Sequence, residues 1–298
     1  MVGGGNMNRM TVGEKIFTVF NYILMLVLVF LAIYPIWYIL IASLSSGSAV
    51  AMGRVMFWID KKDFTFEAYN QIFKTKNLFT SYGNTIFYSV VGTLASMIFT
   101  TMAAFTLSIK DLPFKKSLTI FFMFTMWFGA GMMPTFINIR NLHLLDTRTG
   151  VILMGLVMTW YLILMRSFFD SIPTEMSESA KIDGANEFLL FKDIYLPLSG
   201  AAIATIGLYY FVMRWNSYFW AMMILTDEKK IPLQVVLKKL IVEMNTNFSD
   251  SANIDYTVTS RETSIYATIM ISVIPMIVLY PFIQKYFVKG IMIGAVKG

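Results

Sequence analysis

Ile172-Pro-Thr-Glu-Met-Ser-Glu-Ser-Ala-Lys-Ile-Asp-Gly-Ala-Asn-Glu-Phe-Leu-Leu-Phe-Lys-Asp-Ile-Tyr-Leu-Pro197 is a polar stretch between two long apolar ones, and its own pattern is helical. Pro173 suits a first helical turn, where a missing N–H is no loss, and Glu175 and Glu178 lie near the positive end of the dipole. Met176, Ala180, Gly184 and Phe188 recur every four residues on one face, with Ala185 and Leu189 beside them. The spacing predicts an amphipathic helical segment over about 170–198. Gly184 permits a bend that makes two short helices of it, and Pro197 closes the unit before the next apolar run. Small side chains at Ala180, Gly184 and Ala185 leave room for another protein's backbone to come close. The periodicity alone suits a helix lying among lipid headgroups as well.

The flanking stretches, Gly150–Phe169 and Ser199–Thr226, each hold about the 20 predominantly apolar residues that cross a bilayer's hydrocarbon. Four more do the same: Ile16–Leu44, Ser81–Ser108, Ser117–Ile137 and Thr263–Gln284. None shows the ten-residue alternation of a barrel strand. The first is too long for a signal-peptide core and is expected to stay as an anchor. Composition agrees: of 298 residues, 57% are hydrophobic and 14% charged, against roughly 45–50% and 25% in soluble domains. The expected fold is all-α and integral to the membrane, one transmembrane domain over residues 1–298 with polar loops at about 45–80 and 227–262. Six crossings put both termini on one side. Lys and Arg do not say which: with Arg166, at the end of its span, counted on the face of the termini, 11 fall there, 12 on the other face, and Arg214 well within a span.

The same composition excludes several chemistries. Without cysteine there is no disulfide framework or thiolate site, and the single His143 leaves no histidine cluster. A net charge of +6 suggests nucleic acid only until the absence of any basic run is noticed. No Asp or Glu lies inside any of the six spans, which argues against a self-powered, ion-coupled carrier or a stand-alone channel. An integral membrane enzyme would have to draw on Asp183, Glu187 and Asp193, with no His or Cys beside them.

Two spans carry candidates for a translocation path. The fifth offers Tyr210, Arg214, Trp215, Asn216, Tyr218 and Trp220, a mixture of aromatic faces and polar groups of the kind that lines ligand sites. Arg214 either lines the path, pairs with a neighbouring subunit, or snorkels to the interface; the aromatic residues either line the path or form an interfacial belt. In the third span, Phe128-Gly-Ala-Gly131 and Pro134 permit a broken helix and a second wall, lined by Met126 and Trp127.

Glu178-Ser-Ala-Lys-Ile-Asp-Gly-Ala185, followed after Gly184 by nine residues and then Ile194-Tyr-Leu-Pro197, resembles the EAA loop of membrane subunits of binding-protein-dependent ABC importers. Ser179 replaces the middle Ala, a small-for-small change. The Ile-Asp-Gly-Ala form is similar to the carbohydrate-uptake group that contains the smaller maltose permease subunit. Arg214-Trp-Asn216 and the tail Gln284–Gly298 agree with that group, while Phe124–Pro134, Tyr34-Pro35 and Ser43-Leu-Ser45 resemble its oligosaccharide branch.

The resemblance implies a type I ABC importer permease with six helices and a cytoplasmic coupling helix. It implies docking on an ATPase through Glu178, Ala180, Asp183, Gly184 and Ala185, with Leu196 and Pro197 tying the loop to the fifth span. Asp183 serves equally well as a helix-ending carboxylate. Lys289, Gly290, Gly294 and Lys297 belong to a tail that reaches the ATPases, or else to a frayed terminus. The implied partners are a second permease subunit, two ATPase subunits that bind ATP and Mg, and an external sugar-binding protein delivering an oligosaccharide. In maltose-type importers the larger sister subunit makes most sugar contacts. This chain has no phosphate-binding loop, so no cofactor is expected in it and hydrolysis falls to the partner. The implied location is the bacterial cytoplasmic membrane with both termini inside. The 227–262 loop is the candidate for meeting the binding protein, its alternative being a solvated connector. A related importer for a non-sugar solute is the remaining alternative.

Overall fold

The computed structural model describes residues 11–74, 77–246 and 261–295. Helices follow in the order α1 (Val12–Ser43), α2 (Gly47–Ala51), α3 (Glu67–Lys74), α4 (Leu78–Ser108), α5 (Lys115–Trp127), α6 (Met132–Asn141), α7 (Arg148–Leu153), α8 (Thr159–Phe169), α9 (Thr174–Ile182), α10 (Glu187–Leu189), α11 (Leu196–Leu198), α12 (Gly200–Trp215), α13 (Phe219–Ile224), α14 (Leu233–Thr246) and α15 (Arg261–Ala295). A π-helical turn occupies Leu190–Tyr195 and a 3-10 turn Glu228–Lys230. No strand forms among the described residues beyond a single bridge between Ser45 and Phe64. The chain divides into two compact units, residues 1–75 with 244–271 and residues 76–243 with 272–298.

In the first unit, a capping box starts α1. The Thr11 N–H donates to Glu14 Oε2 at 2.7 Å and the Glu14 N–H returns to Thr11 Oγ1 at 3.3 Å. From Val12 to Tyr38 no residue of α1 is buried, although the helix is apolar on every side. A helix of that kind belongs in a bilayer or against another span. Only its last turn enters a core, where Ile41 and Ala42 meet Ala49, Val50 and Val55 with Tyr38 and Tyr266 packed alongside.

The second unit is organised on α4. Gly92, Ser96, Thr100 and Ala104 recur at intervals of four and are all buried, so the neighbouring backbone comes close along that stripe. The neighbour is α12, running antiparallel: Ser96 meets Arg214 and, one turn on, Thr100 meets Tyr210. Beyond Ala104, Phe105 joins Met165, Phe169, Leu190, Ala202 and Ile206 in the main core. At the opposite end, Tyr88, Ala221, Leu225, Ile231 and Val235 form a second cluster.

Six uninterrupted spans are not what the described residues show. Two helices, α1 and α4, are long and apolar enough to cross a membrane, and up to four cross if each bent pair makes one span. The third expected span is the pair α5 and α6, bent by 115° across Phe128–Gly131, the break its glycines permit. The stretch Gly150–Phe169 becomes α7 and α8, parted at Met154–Met158 where Gly155 takes φ +67°. The fifth is cut between α12 and α13, and it meets the preceding loop at an 83° bend. The polar stretch after Asp227 is no plain connector as far as Glu243: α14 buries Leu233, Val235 and Leu237. Residues 247–260 of the same expected loop lie outside the described residues.

Candidate functional site

The loop after α8 folds as an elbow. α9 ends in a Schellman turn, in which the Gly184 N–H donates to Lys181 O at 3.1 Å and the Ala185 N–H to Ala180 O at 2.9 Å. That turn requires a left-handed residue, and Gly184 supplies it with φ +87°. Across it, Lys181 Nζ pairs with Glu187 Oε1 at 2.9 Å, and this hydrogen bond holds the ammonium above its ordinary pKa. Asn186 Oδ1 then caps α10 by accepting from the Leu189 N–H. Pro197 has no N–H to return to Asp193 O, and the Leu196 N–H reaches Phe191 O, five residues back, which produces the π turn.

The small residues of the motif divide into two kinds. Ala180 and Ala185 face inward and pack on the cluster of Phe105, Phe169 and Leu190, so their size fits the protein's own core. Gly184 is exposed, and nothing lies within 4 Å of the place a Cβ would take. Glu178 and Asp183 are exposed, Leu196 is partly buried and Pro197 exposed. Because the helix turns at Gly184, the expected single stripe is split. Ile182 at 87% exposure and Phe188 at 68% stand out as an apolar knuckle. Tyr195 anchors its base: the ring packs edge-on against Phe105 at 4.9 Å and Phe169 at 5.5 Å, and its hydroxyl lies 3.1 Å from Ser177 Oγ.

The second constellation surrounds Arg214. This residue is 7% exposed and crosses α4 at Gly92, where a Cβ would stand 2.6 Å from the arginine's Cδ and Nη1. Nη2 donates to Ser96 Oγ at 2.8 Å and to Ile152 O at 3.1 Å, while Nε is buried with no hydrogen-bond partner among the described residues. Beside it lies a cavity of about 220 Å³ walled by Tyr88, Met158, Met213, Ser217 and Trp220 among others.

Other residues of the fifth span lie elsewhere. Tyr210 is fully buried; its hydroxyl shares a hydrogen bond with Thr100 Oγ1 at 2.7 Å and accepts from the Met158 N–H at 2.9 Å, capping the break before α8. Trp215 is buried too, its indole N–H donating to Ser272 O at 3.2 Å. Asn216 and Tyr218 are exposed at the α12–α13 break. Met126 and Trp127 are exposed beside the α5–α6 break and are not among the residues that wall the Arg214 cavity. Of the tail, Lys289, Gly290 and Gly294 fall within α15, and Lys297 lies outside the described residues.

The close approach at Gly92 and Ser96 shows in the sequence only as their four-residue spacing to Thr100 and Ala104, the small-residue signature of close packing. The strap at the far end of α4 leaves no such trace. There Asp146, at φ +52°, accepts from the Thr226 and Asp227 N–H groups through Oδ1, and the Asp227 bond above all holds its carboxyl below the usual range. Lys230 pairs with Asp146 Oδ2 at 3.1 Å, Asn84 donates to Lys229 O and Ile231 O, and Tyr88 to Lys230 O. No short motif marks residues so distant in sequence.

Comparison with known proteins fits these features. Residues 94–293 match the family described as the binding-protein-dependent transport system inner membrane component. The polygalacturonan/rhamnogalacturonan transport system permease protein YtcP of Bacillus subtilis is 35% identical over 96% of this chain and 99% of its own length. The arabinooligosaccharides transport system permease protein AraQ of Halalkalibacterium halodurans is 26% identical over 90% of this chain and 92% of its own. A chain from the crystal structure of a bacterial ABC transporter involved in the import of the acidic polysaccharide alginate superposes with TM-score 0.85 and 42% identity, covering 93% of this chain and 99% of that one. With an elbow, a helix pair built on small residues and relatives that match it nearly end to end, this chain belongs to the binding-protein-dependent transport system inner membrane component family.

Proposed function

We propose that the chain is one of two membrane subunits of an ATP-driven, binding-protein-dependent importer of acidic oligosaccharides. The observation that carries the coupling role is the apolar knuckle at Ile182 and Phe188, exposed on an elbow whose base is fixed in the chain's own core. A partner that grips Ile182, Phe188 and the charges of Glu178 and Asp183 pulls on Tyr195 and Leu190, and through them on the α4 and α12 ends that pack there. Leu196 and Pro197 pass the movement across the 83° bend into α12. ATP and Mg belong to that partner, an ATPase subunit on the cytoplasmic side, and contact with it is the role assigned to Lys289, Gly290, Gly294 and Lys297 of the tail. The strap end of α4 faces outward to the sugar-binding protein, with both termini in the cytoplasm.

The substrate class is drawn from the similar proteins. Polygalacturonan and alginate are polymers of sugars that bear carboxylates, and the proteins named for them share 35% and 42% of their residues with this chain. The test is uptake by liposomes holding the whole assembly: this chain, its sister permease, the ATPases and the binding protein. Labelled galacturonate oligosaccharides are expected to enter only with ATP and binding protein present, and faster than neutral arabino-oligosaccharides. Uptake by this chain alone, or preference for the neutral sugar, overturns the reading.

A further inference from the structure

Arg214 is a buried cation without an anion. Its hydrogen bonds go to a serine hydroxyl and a peptide carbonyl, both neutral, and no described Asp or Glu lies within ion-pair distance of it. Burying a charge in this way is costly, and the cost falls sharply when an opposite charge arrives. The residues that wall the adjoining cavity include no other charge, so low-dielectric surroundings leave the field of the guanidinium unopposed there. The lining also includes the aromatic side chains of Trp220 and Tyr88.

We infer that this cavity is a carboxylate-reading subsite on the translocation path, taking one hexuronate ring at a time. The carboxylate pairs with the guanidinium of Arg214, which lines the cavity, and the ring's C–H face lies on Trp220. The inference rests on the acidic-oligosaccharide reading and adds the residue that enforces it. Size agrees: about 220 Å³ is below the roughly 300–1,000 Å³ that enclose a drug-sized ligand, leaving room for a single ring and not for a chain. Ser96 and Gly92 are positioning residues, the first holding Nη2 and the second leaving space for the side chain to pass. A neutral sugar gains nothing from the guanidinium, so the site favours acidic over neutral units.

The experiment compares uptake of trigalacturonate with uptake of its fully methyl-esterified form by the reconstituted complete importer. The binding protein is common to every arm, so its preference cancels when variants are set against wild type. Arg214→Gln is expected to lower the acid-to-ester ratio by about ten- to hundred-fold, the worth of a charge-assisted hydrogen bond. Arg214→Lys is expected to retain most of the preference. Ser217→Glu leaves the arginine in place and sets a carboxylate in the cavity wall; it is expected to lower the ratio as Arg214→Gln does, and it carries the test if Arg214→Gln does not assemble. An unchanged ratio in either variant overturns the subsite, as does an Arg214→Gln importer that slows equally for both sugars, the result of a pair with the sister subunit. Should wild type itself prefer the ester, the acidic reading of the transporter fails instead.

Discussion

Gly184 sits where the elbow turns, and the turn favours glycine above other residues. Its φ of +87° closes the two Schellman bonds, while the space around the absent Cβ is open. Gly184→Val therefore acts by backbone strain and not by collision, costing on the order of 1–2 kcal/mol. Asn tolerates the left-handed region, so Gly184→Asn is expected to be milder. Measured as sugar molecules imported per ATP hydrolysed, Val is expected to fall well below Asn; equal values would show that the turn is irrelevant to coupling. The bend at Gly184 was readable from the residue alone. What Ala180 and Ala185 do was not, because a small side chain looks the same in sequence whether it faces a partner or its own core. Gly92 is the mirror case: it makes room within the chain for Arg214, a residue 122 positions away.

Among the elements, the α5–α6 break was legible and the α7–α8 break was not, for a definable reason. Glycines at 129 and 131 with Pro134 announce the first, whereas the second depends on a group from another helix. Tyr210 accepts a hydrogen bond from the Met158 N–H, which the start of α8 leaves without a helical partner. Apolar length reports whether a segment belongs in a membrane; it is silent on where distant hydroxyls allow the helix to stop. Tyr210→Phe keeps the ring and removes that acceptor, leaving the Met158 donor without it and the buried Thr100 hydroxyl without its partner. Stability is expected to drop by about 1–3 kcal/mol, read as a lower midpoint of thermal denaturation in detergent. A midpoint equal to wild type would mean that water or lipid satisfies the break and that Tyr210 contributes only its ring. The same limit applies to α14, whose buried Leu233, Val235 and Leu237 sit in a stretch that reads as a polar loop.

For the molecule as a whole, the tie in positive charge is explained by what the lysines do. Lys115 donates to Ser108 O and Ile109 O, closing the C-terminal end of α4, and Lys230 is held by Asp146 and Asp227 at the other end. Cations engaged as caps and struts on both faces give little sense of direction. The helix between them is 31 residues long, about 46 Å, with the elbow packed near its last turns and the strap on its first. The elbow and the strap are therefore expected on opposite sides of the membrane. A chain without cysteine makes the assignment direct, since any label must go to an introduced thiol. Ile182→Cys is expected to resist a membrane-impermeant maleimide in intact cells, react once they are opened, and be shielded when the ATPase is co-expressed. Lys229→Cys, exposed on the strap, is expected to react from outside without permeabilisation. If Ile182→Cys is labelled in intact cells, no local rearrangement rescues coupling through the elbow, because α4 fixes its two ends on opposite sides and a cytoplasmic ATPase would find only the strap.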